Sequence, residues 1–250
     1  MSLDKLDHRD VHAYALGLGD DALILAQRLG HWIARAPQIE EDVALGNIGL
    51  DLLGQARLLL TYAGEATGQS EDDLAYLREE REFTNLQIVE HPNDDFAVTI
   101  ARQLVFSTYQ LGLYERLQRS TDETLAAIAA KAVKEVDYHR DHATQWTLRL
   151  GDGTDESHAR MQAGLERIWP YVAEMFVPWT DGLDGVAVDP AEIKPEWTAY
   201  VEGVLAEATL TVPETWTAPA GGRKGMHTEP FGYLVAEMQH LHRSHPGATW

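Results

Sequence analysis

The sequence predicts an all-α fold, a four-helix bundle with one long crossover and additional C-terminal helices. Apolar residues recur every three or four positions over stretches of roughly 25 to 30 residues, which at 1.5 Å per residue gives helices about 40 Å long. A broken, acidic segment between Gly64 and Asn93 separates two pairs of such helices, and acids, Pro and Gly mark the helix ends. With 250 residues the chain has the length for one compact domain, 1–250, with a core bundle at about 20–150 and a C-terminal helical extension at about 154–245.

Asp20 and Asp21 read as the opening of the first helix, whose Leu25, Leu29, Trp32 and Ile33 recur at helical spacing before Pro37. The second is expected from Glu40-Glu41-Asp42, where acids suit a helix N-terminus, to about Ala63. Its seam is Leu45, Ile48, Leu52, Gln55, Leu59 and Tyr62. A short acidic helix near 71–80 and the stretch Asn85 to Pro92 then make the crossover that joins antiparallel pairs in ferritin-like bundles.

Asn93 or Asp94 is the expected cap of the third helix, which carries Ala97, Ile100, Ala101, Leu104, Val105, Thr108, Leu111 and Glu115. Ser120 and Glu123 give a capping-box pattern for the fourth. Its stripe is Leu125, Ala129, Ala132, Val136, His139, Ala143, Trp146 and Leu150, ending at Gly151-Asp152-Gly153. A fifth helix from Thr154-Asp155 uses Met161, Leu165, Ile168, Trp169, Val172 and Phe176 before Pro178. A loop at 180–189, a sixth helix at about 195–208, an extended piece at 209–212, an irregular loop at 213–227 and a final helix at roughly 229–243 complete the chain.

Forty acidic residues against twenty basic ones give a net charge of −20, which disfavours nucleic acid and anionic membrane surfaces and leaves room for a basic protein partner. The absence of cysteine excludes disulfides and thiolate chemistry. Asp4, Asp7 and Asp10 stand where a secretory peptide would be basic and apolar. No run approaches the roughly 18 uninterrupted apolar residues of a membrane span. A soluble, cytoplasmic protein without a membrane or nucleic-acid partner is the expectation.

Bundles of this shape often hold two metal ions between a Glu from each of two helices and a Glu-x-x-His pair from each of the other two. Of the eleven histidines, only His158 and His240 have an acid three residues earlier, Asp155 and Glu237. The first pair sits at a helix start beside a Gly-rich turn, where capping explains it. The second sits with His242 and His245 near the C-terminus, where an interface or solvated face is the simpler reading. On the second helix Leu52 and Gln55 occupy the acid and histidine positions; on the fourth, Val136 takes the acid position and His139 remains. Leucine and valine supply none of the anionic oxygen that hard cations need. No catalytic, cofactor-binding or metal residue is therefore assigned, and His139 is expected to be buried and bonded to Gln55, Asp51, Glu135 or Asp137. Gly221 to Gly225, with Arg223 and Lys224, has the composition of a phosphate nest but reads more simply as a mobile surface loop.

Residues 16–30 (LGLGDDALILAQRLG), 47–57 (NIGLDLLGQAR), 134–139 (KEVDYH) and 227–239 (HTEPFGYLVAEMQ) together resemble the PaaC-type subunits of bacterial phenylacetate-CoA oxygenases, the ring epoxidases of phenylacetyl-CoA. The resemblance implies a non-catalytic structural subunit that packs against a metal-bearing catalytic subunit and stabilises it. It also implies a di-iron centre and an NADPH-dependent reductase in partner subunits and other epoxidase components as further partners. Independently of the resemblance, the apolar surface of several helices leaves room for a homodimer of the isolated chain. Leu52, Gln55 and Val136 are this sequence's departures from the catalytic pattern. The competing reading is an independent metalloenzyme using Asp42, Asp51, Glu115 and Glu135 with His139, and a third is a bundle that binds an acyl-CoA without chemistry.

Overall fold

Two helix pairs build the core: α1 (Val11–Gly30) with α2 (Ile39–Gly64), and α4 (Phe96–Leu117) with α5 (Glu123–Gly151). Between them lies the crossover, which holds the short α3 (Glu71–Tyr76) and 3-10 turns at Glu80–Glu82 and Gln87–Glu90. This is a ferritin-like arrangement. The C-terminal part adds α6 (Asp155–Ile168), α7 (Lys194–Glu207) and α8 (Glu229–Ser244). The computed structural model describes residues 11–179 and 182–248, and among these there is no strand. Asp4, Asp7 and Asp10 lie outside the described residues, as do two residues of the 180–189 loop.

The seam of α2 buries Leu45, Ile48, Leu52, Gln55 and Leu59, and the stripe of α5 buries Leu125, Ala129, Ala132, Val136, His139 and Ala143. Helix α4 is buried around nearly its whole circumference from Ala97 to Tyr114, because α5, α6 and α7 all pack on it. Such a helix reads as apolar on every side. It carries Arg102, Gln103 and Gln110 inside.

Several helix ends differ from expectation, each for a local reason. Helix α1 is already formed at Val11, the first described residue, so Asp20 and Asp21 sit inside it rather than at its start, and Trp32 and Ile33 fall beyond its end. Asp95 caps α4 by accepting from the Ala97 amide. Asn93 is drawn away to the Arg28 carbonyl, near the end of α1, and Asp94 pairs with Arg167. Asp122 caps α5 through the Leu125 amide at 2.8 Å, while the Ser120 hydroxyl donates to the Val186 carbonyl. Helix α3 stops at Tyr76, short of the expected 80.

The fifth helix divides. α6 is capped by Thr154 in a capping box with Ser157, and after Ile168 the chain tightens to a 3-10 turn through Phe176, since Pro170 supplies no amide for an α-helical bond. The expected extended piece at 209–212 forms no strand, and its first residue is not extended. Thr209, at φ 60°, takes the left-handed conformation, its amide bonds to the Ala206 carbonyl, and the Leu210 amide bonds to the Leu205 carbonyl. Together these bonds close α7 as a Schellman motif.

Residues 213–227 are irregular as expected, but the 221–225 segment is tied down rather than mobile. Glu174, itself buried, accepts from the amides of Gly221, Gly222 and Gln87 at 2.7 to 2.9 Å. The nest that would suit a phosphate is thus filled by a carboxylate of the same chain. Arg223 is spent as well, donating to Asp21 and to the carbonyls of Gly17 and Thr84 while stacking over Trp179.

Three further buried acids fix the crossover to α1 and to the C-terminal segment. Asp20 pairs with Arg78 and accepts from the Thr84 amide at 2.8 Å. Asp21 takes Arg223 and the Leu86 amide. Glu90 receives Asn85, His227 and both donors of Thr228. An unpaired buried charge would cost several kcal/mol, so each acid has its donors.

Candidate functional site

Helices α2 and α5 face each other along the bundle through polar pairs. Glu41 meets His142 at 2.8 Å, Asp51 meets His139 at 3.1 Å, and Gln55 donates to Glu135 at 3.0 Å. Numbers rise along α2 and fall along α5, as in an antiparallel pair. Gln110 of α4 extends the chain by donating to the Gln55 carbonyl oxygen at 3.2 Å, and Tyr114 interacts with Gln110 in turn.

Leu52 and Val136 are fully buried at the positions where a di-metal bundle would present acids. Gln55, where a histidine would stand, has both ends of its amide engaged. Facing a carboxylate, Nε2 of His139 carries the proton and donates to Asp51, so that nitrogen is not free to bind a metal. Among the described residues no cluster of three or more His, Asp or Glu side chains is arranged to hold a metal ion. The donor set does not fit a carboxylate-bridged pair of cations. What it fits is a hydrogen-bonded relay that registers α2 against α5 and α4.

Of the carboxylates in the competing reading, Asp51 and Glu135 lie in this network, whereas Asp42 accepts from the Ala36 amide and Glu115 is exposed at the far end of α4. Asp155 lies in the first turn of α6 and His158 bonds the Gly151 carbonyl, so neither turns to the other. Glu237 faces His31 at 3.4 Å and His242 stacks on Tyr76. Sequence reasoning anticipates the His139–Asp51 pair but misses Glu41–His142 and Gln110. Glu41 is absorbed there into a helix-start signal, and Gln110 belongs to a helix buried on all sides.

Burial holds His139 below the ordinary imidazole value, its hydrogen bond to Asp51 opposing the shift. Burial first, and then Arg102, Arg167 and Arg28, lower His91 to about 4. A histidine kept neutral in the fold contributes stability above its unfolded value near 6.5, and that stability is lost as pH falls toward the folded value. Between pH 7.5 and 5 the His91 share is expected to be about 1–2 kcal/mol. Urea titrations should show the wild type losing that much more than His91→Gln over the same interval; equal losses would remove His91 from the acid response.

Residues 3–250 match the family model described as phenylacetic acid catabolic protein. The chain is also 48% identical over 245 residues to the C component of the 1,2-phenylacetyl-CoA epoxidase of Escherichia coli (strain K12), covering 95% of this chain and 98% of that protein.

Proposed function

The chain belongs to the phenylacetic acid catabolic protein family, and from that premise we propose that it is a non-catalytic structural subunit of a multicomponent monooxygenase. Its complex epoxidises the aromatic ring of phenylacetyl-CoA in aerobic phenylacetate catabolism. This chain stabilises the metal-bearing catalytic subunit, and the di-iron centre and the NADPH-dependent reductase belong to partner subunits. The complex works in the cytoplasm.

The observation that carries this reading is the replacement of ligand positions by Leu52, Gln55 and Val136, with His139 committed to Asp51. The independent-metalloenzyme reading draws on the same Asp51–His139 contact, but its other acids do not gather there: Asp42 binds a backbone amide and Glu115 is exposed. Co-expression tests the proposal. This chain alone is expected to leave phenylacetyl-CoA unchanged, yet to raise the soluble yield of the metal-bearing subunit severalfold. An unaltered yield and melting temperature of that subunit would defeat the structural role.

A further inference from the structure

Between the end of the crossover and the segment at 216–230 the surface opens into a cavity of about 390 Å³, within the range of roughly 300 to 1,000 Å³ usual for small-molecule sites. Three rings run along it edge to face. His91 and Tyr171 stand 4.8 Å apart at 64°, and Tyr171 and Trp216 stand 6.4 Å apart at 70°. Trp216 is 63% exposed, although its loop is anchored two residues on, where the Ala218 amide donates to the Pro170 carbonyl at 2.9 Å. Tyr171 and the indole thus form an angled aromatic corner open to the cavity, a geometry that receives a third ring.

Two polar groups of the cavity have no partner. His91 and the Tyr171 phenol make no side-chain hydrogen bond among the described residues. Nδ1 of His91 is shut away from water, so Nε2 is the nitrogen left open. Burial and then Glu90 raise the Tyr171 phenol, while burial and then Arg102 lower His91, so near neutral pH both are uncharged groups able to donate.

Arg167 lines the same cavity. It pairs with Asp94 but stays 45% exposed, and a guanidinium carries more N–H donors than one carboxylate uses. Behind His91, Arg102 and Arg28 are buried, and neither forms an ion pair with a carboxylate among the described residues. Arg102 bonds the His91 carbonyl and Asn93, and Arg28 bonds the Glu90 carbonyl. Of the nearby acids, Asp94 is held by Arg167, and the Glu90 carboxylate by His227, Thr228 and Asn85. Glu229, also on the lining, is exposed to solvent, where its field is screened.

We infer that this cavity binds a small aromatic carboxylate. The ligand ring lies in the corner between Tyr171 and Trp216, and its carboxylate accepts from Arg167, the Tyr171 hydroxyl and Nε2 of His91. A single lining arginine, shared with Asp94, suits one negative charge rather than a phosphate, whose oxygens call for more donors. A thioester lacks the charge altogether, so the free acid is the ligand. Such a site stands whether or not the chain is a structural subunit.

Isothermal titration of the purified full chain with phenylacetate is the test. A ligand of about ten non-hydrogen atoms is expected to bind with a dissociation constant on the order of 0.1 to 1 mM. Phenylacetamide keeps the ring without the charge, and cyclohexylacetate keeps the charge without the aromatic ring; each should bind at least fivefold more weakly. Trp216→Ala and Arg167→Gln alter exposed side chains, so each should keep the wild-type circular-dichroism spectrum and lose at least fivefold in phenylacetate affinity. A titration that does not saturate by about 10 mM, or equal affinity in wild type and both variants, would overturn the site. Equal binding of the amide would reduce it to an apolar crevice, and displacement by equimolar inorganic phosphate to a plain anion site. Tighter binding of phenylacetyl-CoA that W216A abolishes would assign it to the thioester, and each of these three results overturns the inference.

Discussion

Asp20→Ala is expected to lower the unfolding free energy by about 3 to 5 kcal/mol, the usual result of removing one partner of a buried ion pair. Asp20 and Arg78 are 0 and 2% exposed. Without the carboxylate, the guanidinium keeps the carbonyls of Leu74 and Glu82 and its seat over Phe83, but no anion faces its charge. The Thr84 amide loses its acceptor as well. Asp20→Leu combined with Arg78→Met should recover much of the loss, because apolar residues of similar volume avoid the desolvation cost altogether. Denaturant midpoints of the two variants measure both steps. A loss below about 1 kcal/mol for Asp20→Ala would mean that the pair does not anchor the crossover to α1.

Val136→Glu is the second large effect, and it bears on the site itself. The side chain is fully buried in the stripe of α5. A carboxyl placed there without prepared donors is expected to cost about 3 kcal/mol or more at pH 7. Burial would raise its pKa above the unfolded value near 4.3. The variant should therefore be least destabilised at low pH and lose further stability as pH rises from the unfolded pKa toward the folded one. Adding iron(II) or manganese(II) should not restore it, since Leu52 and Gln55 still occupy the facing positions of α2. A metal-dependent rise in the melting temperature of this single variant would show that one acid suffices to complete a site, and the helix pair would then be closer to a metal centre than its donors imply.

The four bundle helices are legible in the sequence because their core faces are continuous: the α5 stripe is interrupted only where Trp146 and Leu150 are partly exposed. The replaced ligand positions are equally legible, since Leu52 and Val136 are a matter of residue type and spacing. The start of α1 is not. Asp20-Asp21 has the chemistry of a helix opening, and what makes two acids tolerable in mid-helix is Arg78 and Arg223, which are 58 and 202 residues away from their respective partners. The role of Glu174 is hidden for the same reason. The 221–225 loop has the composition of an anion nest, and it does hold an anion, but the anion is a side chain 47 residues earlier. Long-range pairing of buried charges leaves no periodic trace in the chain.

The most direct measurement of the central claim is the iron and manganese content of this chain, purified apart from its partners and dialysed. Aliphatic side chains at 52 and 136 and an amide at 55 leave too little negative oxygen for hard cations, so the expected content is below about 0.1 equivalent per chain. A bridged pair of ions, retained stoichiometrically between α2 and α5, would contradict it.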